Sequence, residues 1–225
     1  MKSNGIQYVV WDWNGTLLDD VQACIEAINL MLGKRNLPLL TPESYREFFG
    51  FPVRDYYVAL GFDFAVEDWD ALAREFHDHY RRTSESALLR DGAVEILDAI
   101  RTLGVPMSVL SASERSILRR MLRSRGIDRY FENVYGLDDL YAGSKLDLGH
   151  TLLRVAGVPP GSVLFVGDTL HDYEVARHMR RPCVLMSGGH QAEHRLARCG
   201  CTVLRHAGDL PRLVERWPAA AALTA

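Results

Sequence analysis

Three short stretches concentrate side chains able to do chemistry: Asp12-Trp13-Asn14-Gly15-Thr16, Ser111-Ala112-Ser113 and Gly167-Asp168-Thr169-Leu170-His171-Asp172. A fourth element is Lys145, one of only three lysines. Brought to one surface, the carboxylates would repel each other unless a cation sat among them, and oxygen-only ligands suit Mg²⁺. Each residue alone has an ordinary reading. Asp12 before Gly-Thr is a turn residue. Ser111, with Glu114 three residues on, reads as the N-cap of a capping box. Lys145 is a solvated helix residue, and Asp168 and Asp172 cap and charge a helix start.

The surrounding elements give these residues a common address. A continuous apolar run begins at Ile6 and ends at Asp12, as a strand buried on both faces does. Similar runs cover 105–110, 163–166, 183–186 and 201–204, with a shorter candidate at 133–135. Between them Ala93, Ile96, Leu97, Ile100 and Leu103 keep helical spacing, as do Ile117, Leu118, Met121 and Leu122. This alternation predicts a three-layer α/β fold with a doubly wound parallel sheet. Ligands of such sheets lie beyond the carboxyl ends of the strands, where the reactive stretches fall and where Lys145 opens a helix.

Residues 19–87 break the alternation. They hold helical patterns with aromatic faces, and Thr41-Pro42 reads as an N-cap followed by proline at the first helical position. The expected organisation is a core of 1–18 and 88–217, an inserted all-α cap of 19–87, and a frayed tail of 218–225.

Apolar residues are 48% of the 225 and charged residues 24%, a globular balance. No apolar run reaches the ~18 residues of a membrane span, and nothing at the start resembles a signal peptide. A net charge of −3 gives no electrostatic case for nucleic acid or an anionic membrane. Four cysteines without framework spacing point to a reducing compartment, hence the cytoplasm. Monomer and homodimer both stay open.

Taken together, the four elements resemble those of the haloacid dehalogenase superfamily, in its phosphoglycolate phosphatase-like branch with a helical cap. The first is residues 12–19, the second Ser111, the third Lys145 and the fourth residues 167–172. The resemblance implies that Asp12 attacks phosphorus and forms an aspartyl-phosphate. It implies Mg²⁺ held by Asp12, the Asn14 backbone carbonyl and Asp168, with Asp172 acting directly or through water. Ser111, the Ala112 amide, Gly15 and Lys145 would hold the phosphoryl group. The implied substrate is a small phosphorylated metabolite.

Asn14 departs from the pattern, which has an acid–base aspartate there. A carboxamide does not exchange protons near neutrality, so aryl or acyl phosphates should be favoured over sugar phosphates unless another acid such as His171 intervenes. Two alternatives stay open: a phosphate-ligand binder with little or no activity, and a C–P or C–halogen hydrolase, of which the C–P hydrolase needs a cap lysine, a role for which Lys34, near the end of the first cap helix, is a poor candidate. Arg54 is expected to read the substrate from the cap. His77 and His79 are expected at the surface, and the aromatic residues between Trp69 and Tyr80 in the cap core. His190 and His194 with Cys199 and Cys201 match no common zinc spacing well.

Overall fold

The computed structural model of the chain describes residues 5–138 and 145–217. Along it run β1 (Tyr8–Trp11), α1 (Val21–Lys34), α2 (Pro42–Phe48), α3 (Val53–Ala59), α4 (Trp69–Thr83), α5 (Ala93–Thr102), β2 (Met107–Glu114), α6 (Arg115–Ser124) and β3 (Asn133–Leu137). There follow α7 (Lys145–Ala156), β4 (Val163–Gly167), α8 (Leu170–His178), β5 (Cys183–Met186) and β6 (Thr202–Leu204), with shorter helical pieces between and after. The tail expected from 218 lies outside the described residues.

All six strands pair in parallel in the order β3-β2-β1-β4-β5-β6. β1 is central and every one of its side chains is buried. Its period of two divides the core. Val9 and Trp11 join Ile96, Leu97 and Ile100 of α5 and Leu118 and Leu122 of α6 on one face. Tyr8 and Val10 join Leu152 of α7 and Val175 and Ala176 of α8 on the other. The direction of winding reverses at β1, so the crevice between the ends of β1 and β4 is the switch point where such sheets bind ligands.

The inserted helices carry a third apolar cluster of their own, including Ile28, Met31, Tyr45, Tyr57 and Leu72. Thr41 caps α2 as its sequence signals: Ser44 N–H donates to Thr41 Oγ1 at 3.2 Å and Thr41 N–H to Ser44 Oγ at 2.8 Å, with Pro42 at the first position. The insert leaves and rejoins the core side by side, where Leu18 bridges Leu89 in antiparallel pairing. A second seam joins α2 and the residues after it to the loop after β5. Arg46 Nε donates to the Gly189 carbonyl, Ala192 N–H to the Arg46 carbonyl, and Arg195 Nη1 to the carbonyls of Arg46 and Phe49. Gln191 Nε2 also donates to Phe49 O.

One local reading is corrected. Ser111 does not cap a helix, because β2 continues through Glu114 and Glu114 itself caps α6, accepting from the N–H groups of Ser116 and Ile117 at 2.8 and 3.1 Å. Among the described residues no helix is long and apolar enough to cross a membrane.

Candidate active site

Asp12 follows directly on β1, its N–H held by the Val166 carbonyl of β4 at 2.8 Å. Lys145, the first residue of α7, is 6% exposed. Its ammonium donates to Asp12 Oδ1 and Asp172 Oδ1, each at 2.6 Å. Burial opposes the charge on Lys145, but the two carboxylates outweigh it and raise its pKa.

Asp168 ends the β4 turn fully buried, accepting from Thr16 Oγ1 at 2.9 Å and from His190 N–H at 2.7 Å. Its pocket depends on glycine: a Cβ on Gly15, whose φ is +70°, or on Gly189 would run into the Asp168 carboxylate. Asp172 closes the capping box at the start of α8, whose N-cap is Thr169. Its Oδ2 accepts from Thr169 N–H and Thr169 Oγ1 at 3.1 and 2.8 Å, which leaves Oδ1 for Lys145.

Asp12, Asp168 and Asp172 thus bring carboxylate oxygens within 4.8 Å of each other. Burial raises the Asp12 pKa first of all; Lys145 opposes this, while Asp172 and Asp168 add to it. Burial likewise lifts Asp168, to about 6. Crowded, buried, oxygen-only donors of this kind fit a hard divalent cation such as Mg²⁺.

Ser111 is buried, its Oγ accepting from Ser113 N–H at 3.0 Å. Ser111, Ala112, Asp12, Asn14 and Lys145 line the mouth of a cavity of about 200 Å³ whose far walls come from α3, α4 and the α2–α3 loop. Asn14 is fixed at this mouth. Its Nδ2 donates to Asp20 Oδ2 and Tyr80 Oη, both at 2.7 Å, and its Oδ1 accepts from Ser113 Oγ at 2.8 Å.

The residues least visible in the sequence form the floor of this arrangement. Asp20 is fully buried and accepts from Gly15 N–H at 2.8 Å, Tyr80 Oη at 2.6 Å and His190 Nε2 at 3.2 Å. Burial works against its charge, but His190 and these donors overcome it and lower its pKa to about 2. His190 in turn is pushed down by burial and up by Asp20, reaching about 9. Its Nδ1 lies 2.9 Å from Tyr45 Oη. Asp20, Cys24 and His190 also meet the distance for a metal cluster, but the Asp20 oxygens and the His190 nitrogens are already engaged within the protein. Arg90 braces the loop after β1, donating to the carbonyls of Gly15 and Ser187 at 2.7 Å each.

Two expectations about the insert change. Arg54 does not face the cavity; its guanidinium lies 4.7 Å from the centre of the Phe64 ring, an arrangement that satisfies the cation on an aromatic face. His77 is half-buried and lines the cavity, and so do Trp69, Phe76 and Tyr80, which also pack against the insert's apolar cluster as expected. Lys34 lies exposed with its ammonium on Glu75 at 2.5 Å, in keeping with its being a poor candidate for the lysine that a C–P hydrolase needs. His171 lines the cavity as expected, stacked on Phe51 with centroids 4.3 Å apart, and burial followed by Lys145 lowers its pKa.

Residues 9–186 match the model of the haloacid dehalogenase-like hydrolases. The chain belongs to that family. This hydrolase is 28% identical over 211 residues to the tyrosine-protein kinase PtkA of Mycobacterium tuberculosis, covering 93% of its own length and 72% of the other protein. It is 28% identical over 192 residues to the phosphoglycolate phosphatase of Caulobacter vibrioides, covering 82% and 81%. The solved structure of PtkA shares its fold with a TM-score of 0.77 at 23% identity, over 93% of this hydrolase and 98% of that chain.

Proposed function

We propose that this hydrolase is a Mg²⁺-dependent phosphatase that releases phosphate from a small phosphorylated metabolite through an aspartyl-phosphate on Asp12. The observation that carries the reading is the Lys145 ammonium clamped between Asp12 and Asp172, with Asp168 beside them, at the mouth of a walled cavity. Relatives named as phosphoglycolate phosphatases support the reaction class.

Asp12, the Asn14 carbonyl and Asp168 would hold Mg²⁺, which when bound offsets repulsion between a carboxylate nucleophile and a phosphate dianion. The remaining Asp12 oxygen attacks phosphorus as the P–O ester bond breaks, its electron pair stays on the leaving oxygen, and that oxygen takes its proton from water. Lys145, Ser111 Oγ and the Ala112 amide would hold the phosphoryl oxygens during transfer. Water then attacks the aspartyl-phosphate, returning Asp12 and releasing phosphate. Gly15 allows the tight turn that sets Asp12 against Asp168. Residues 19–87 act as the cap that keeps bulk water from the intermediate.

Turnover of p-nitrophenyl phosphate tests the reading. Activity should require Mg²⁺, vanish in chelator and be lost in Asp12→Asn. No turnover at any Mg²⁺ concentration would instead favour a phosphate-ligand binder, consistent with an amide at position 14.

A further inference from the structure

We infer that the phosphoryl group of the substrate is carried on a neutral aromatic ring, making the substrate an aryl phosphate monoester. This rests on the phosphatase reading above and narrows it.

The first observation is the wall. Beyond the mouth the cavity is bounded by Phe49, Tyr56, Tyr57, Trp69, Phe76 and Tyr80. These rings are packed against one another, Tyr57 to Trp69 at 5.7 Å edge-on and Phe76 to Tyr80 at 5.8 Å stacked, so the wall is rigid and presents both ring faces and edges. About 200 Å³ is room enough for one ring, since an apolar cavity of ~150 Å³ takes up benzene.

The second is where the charges are. Lys145 is committed to Asp12 and Asp172 at the phosphoryl end, and His190 to Asp20. The Arg54 guanidinium lies on Phe64. His171 stacks on Phe51, and His77 packs edge-on to Phe76. A second anion on the substrate, such as the carboxylate of a phosphorylated hydroxy acid, would lose its water against aromatic carbon, and among the described residues that line the cavity there is no arginine and no lysine besides Lys145 to meet it.

The third is the chemistry of departure. Asn14 is held on three sides and has no proton to give. A phenol ionises near pH ~10, so a phenolate leaves with the electron pair of the broken P–O bond and takes a proton from water afterwards. An alkoxide needs the proton at the moment of departure. Wall and leaving group therefore select the same class by separate arguments.

Binding can be measured without turnover. Calorimetry with Mg²⁺ present should show benzylphosphonate binding roughly 10- to 100-fold more tightly than methylphosphonate, the factor that burial of one ring brings. Phosphonoacetate should bind no more tightly than methylphosphonate. Equal affinities, or phosphonoacetate as the tightest ligand, would overturn the inference. Turnover of phenyl phosphate, 2-phosphoglycolate and acetyl phosphate separates this from the reading beneath it. Hydrolysis of acetyl phosphate without any benzyl advantage in binding sinks the aromatic substrate and keeps the phosphatase. A benzyl advantage without hydrolysis of any of the three keeps the aromatic phosphate site and sinks the phosphatase.

Discussion

Replacing Asn14 by aspartate puts a second carboxylate where the structure has an amide donor. Asn14 Nδ2 lies 2.7 Å from Asp20 Oδ2, so the new oxygen faces a buried carboxylate at that distance, where two unit charges repel by ~6 kcal/mol at an effective dielectric constant of about 20. At about 1.4 kcal/mol per unit this lifts the new carboxyl by roughly four units, to about pH 8. A carboxyl whose folded pKa is raised costs nothing below its unfolded value near ~3.9 and costs ~1.4 kcal/mol more per pH unit up to its folded value. From pH 5 to pH 7 Asn14→Asp should therefore lose ~2.8 kcal/mol against the native chain. For a chain of this size that is roughly 6–11 °C in Tm, read by thermal melts in chelator. The same proton makes position 14 an acid at neutral pH, so alkyl phosphates should gain ~10²- to 10⁴-fold in kcat/KM, and aryl phosphates far less. A Tm difference from the native chain that is identical at pH 5 and pH 7 would refute the Asn14–Asp20 argument. Unchanged alkyl phosphate turnover would remove position 14 from proton transfer.

Lys145→Ala should lower kcat by ~10²- to 10³-fold and, in chelator, destabilise the fold by ~3–5 kcal/mol because two buried carboxylates lose their partner, with Mg²⁺ restoring part of the stability. Normal kinetics and an unchanged melt would take it out of the site. Asp168→Ala should lose activity that excess Mg²⁺ recovers only in part, whereas full activity in chelator would contradict the metal assignment. The His190–Asp20 pair should leave a signature in stability against pH. His190 is raised from 6.5 to about 9, so its contribution is complete below 6.5 and lost as pH rises through 9. Asp20 is depressed from 3.8 to about 2, so its contribution is present above 3.8 and lost as pH falls through 2. The gap in melting temperature between the native chain and His190→Leu should be widest between pH 4 and 6.5 and narrow by pH 9, and a flat gap would contradict the pairing.

What was legible in the sequence is what lies immediately after a strand. Asp12, Ser111 and Asp168 could be placed because an apolar run ends just before each, and a parallel sheet brings those ends to one edge. Asp20 and His190 could not, since 170 residues separate them and only the closed fold makes them partners. Asp20 stands just ahead of α1 like any N-cap, yet its side chain makes no cap and turns inward. Ser111 and Glu114 satisfy a capping spacing that pairing with β3 overrides by prolonging β2 to Glu114. The rings of α4 keep one helical spacing whether they pack on neighbours or border a void, so periodicity marks Trp69, Phe76 and Tyr80 as apolar without saying that they bound a cavity.

The seam between the insert and the loop after β5 is fastened largely to main-chain carbonyls, those of Arg46, Phe49 and Gly189. Peptide carbonyls are the same whatever side chain they carry. The far side of the cavity, by contrast, is mostly a set of aromatic residues. A lineage can therefore exchange its rings one at a time while the attachment persists, since the acceptors on which it depends survive any substitution at their own positions. Divergence in what is recognised and retention of how the parts are joined are thus written in separable portions of the same polypeptide. That gives this architecture a route to new specificities through single, individually tolerable replacements.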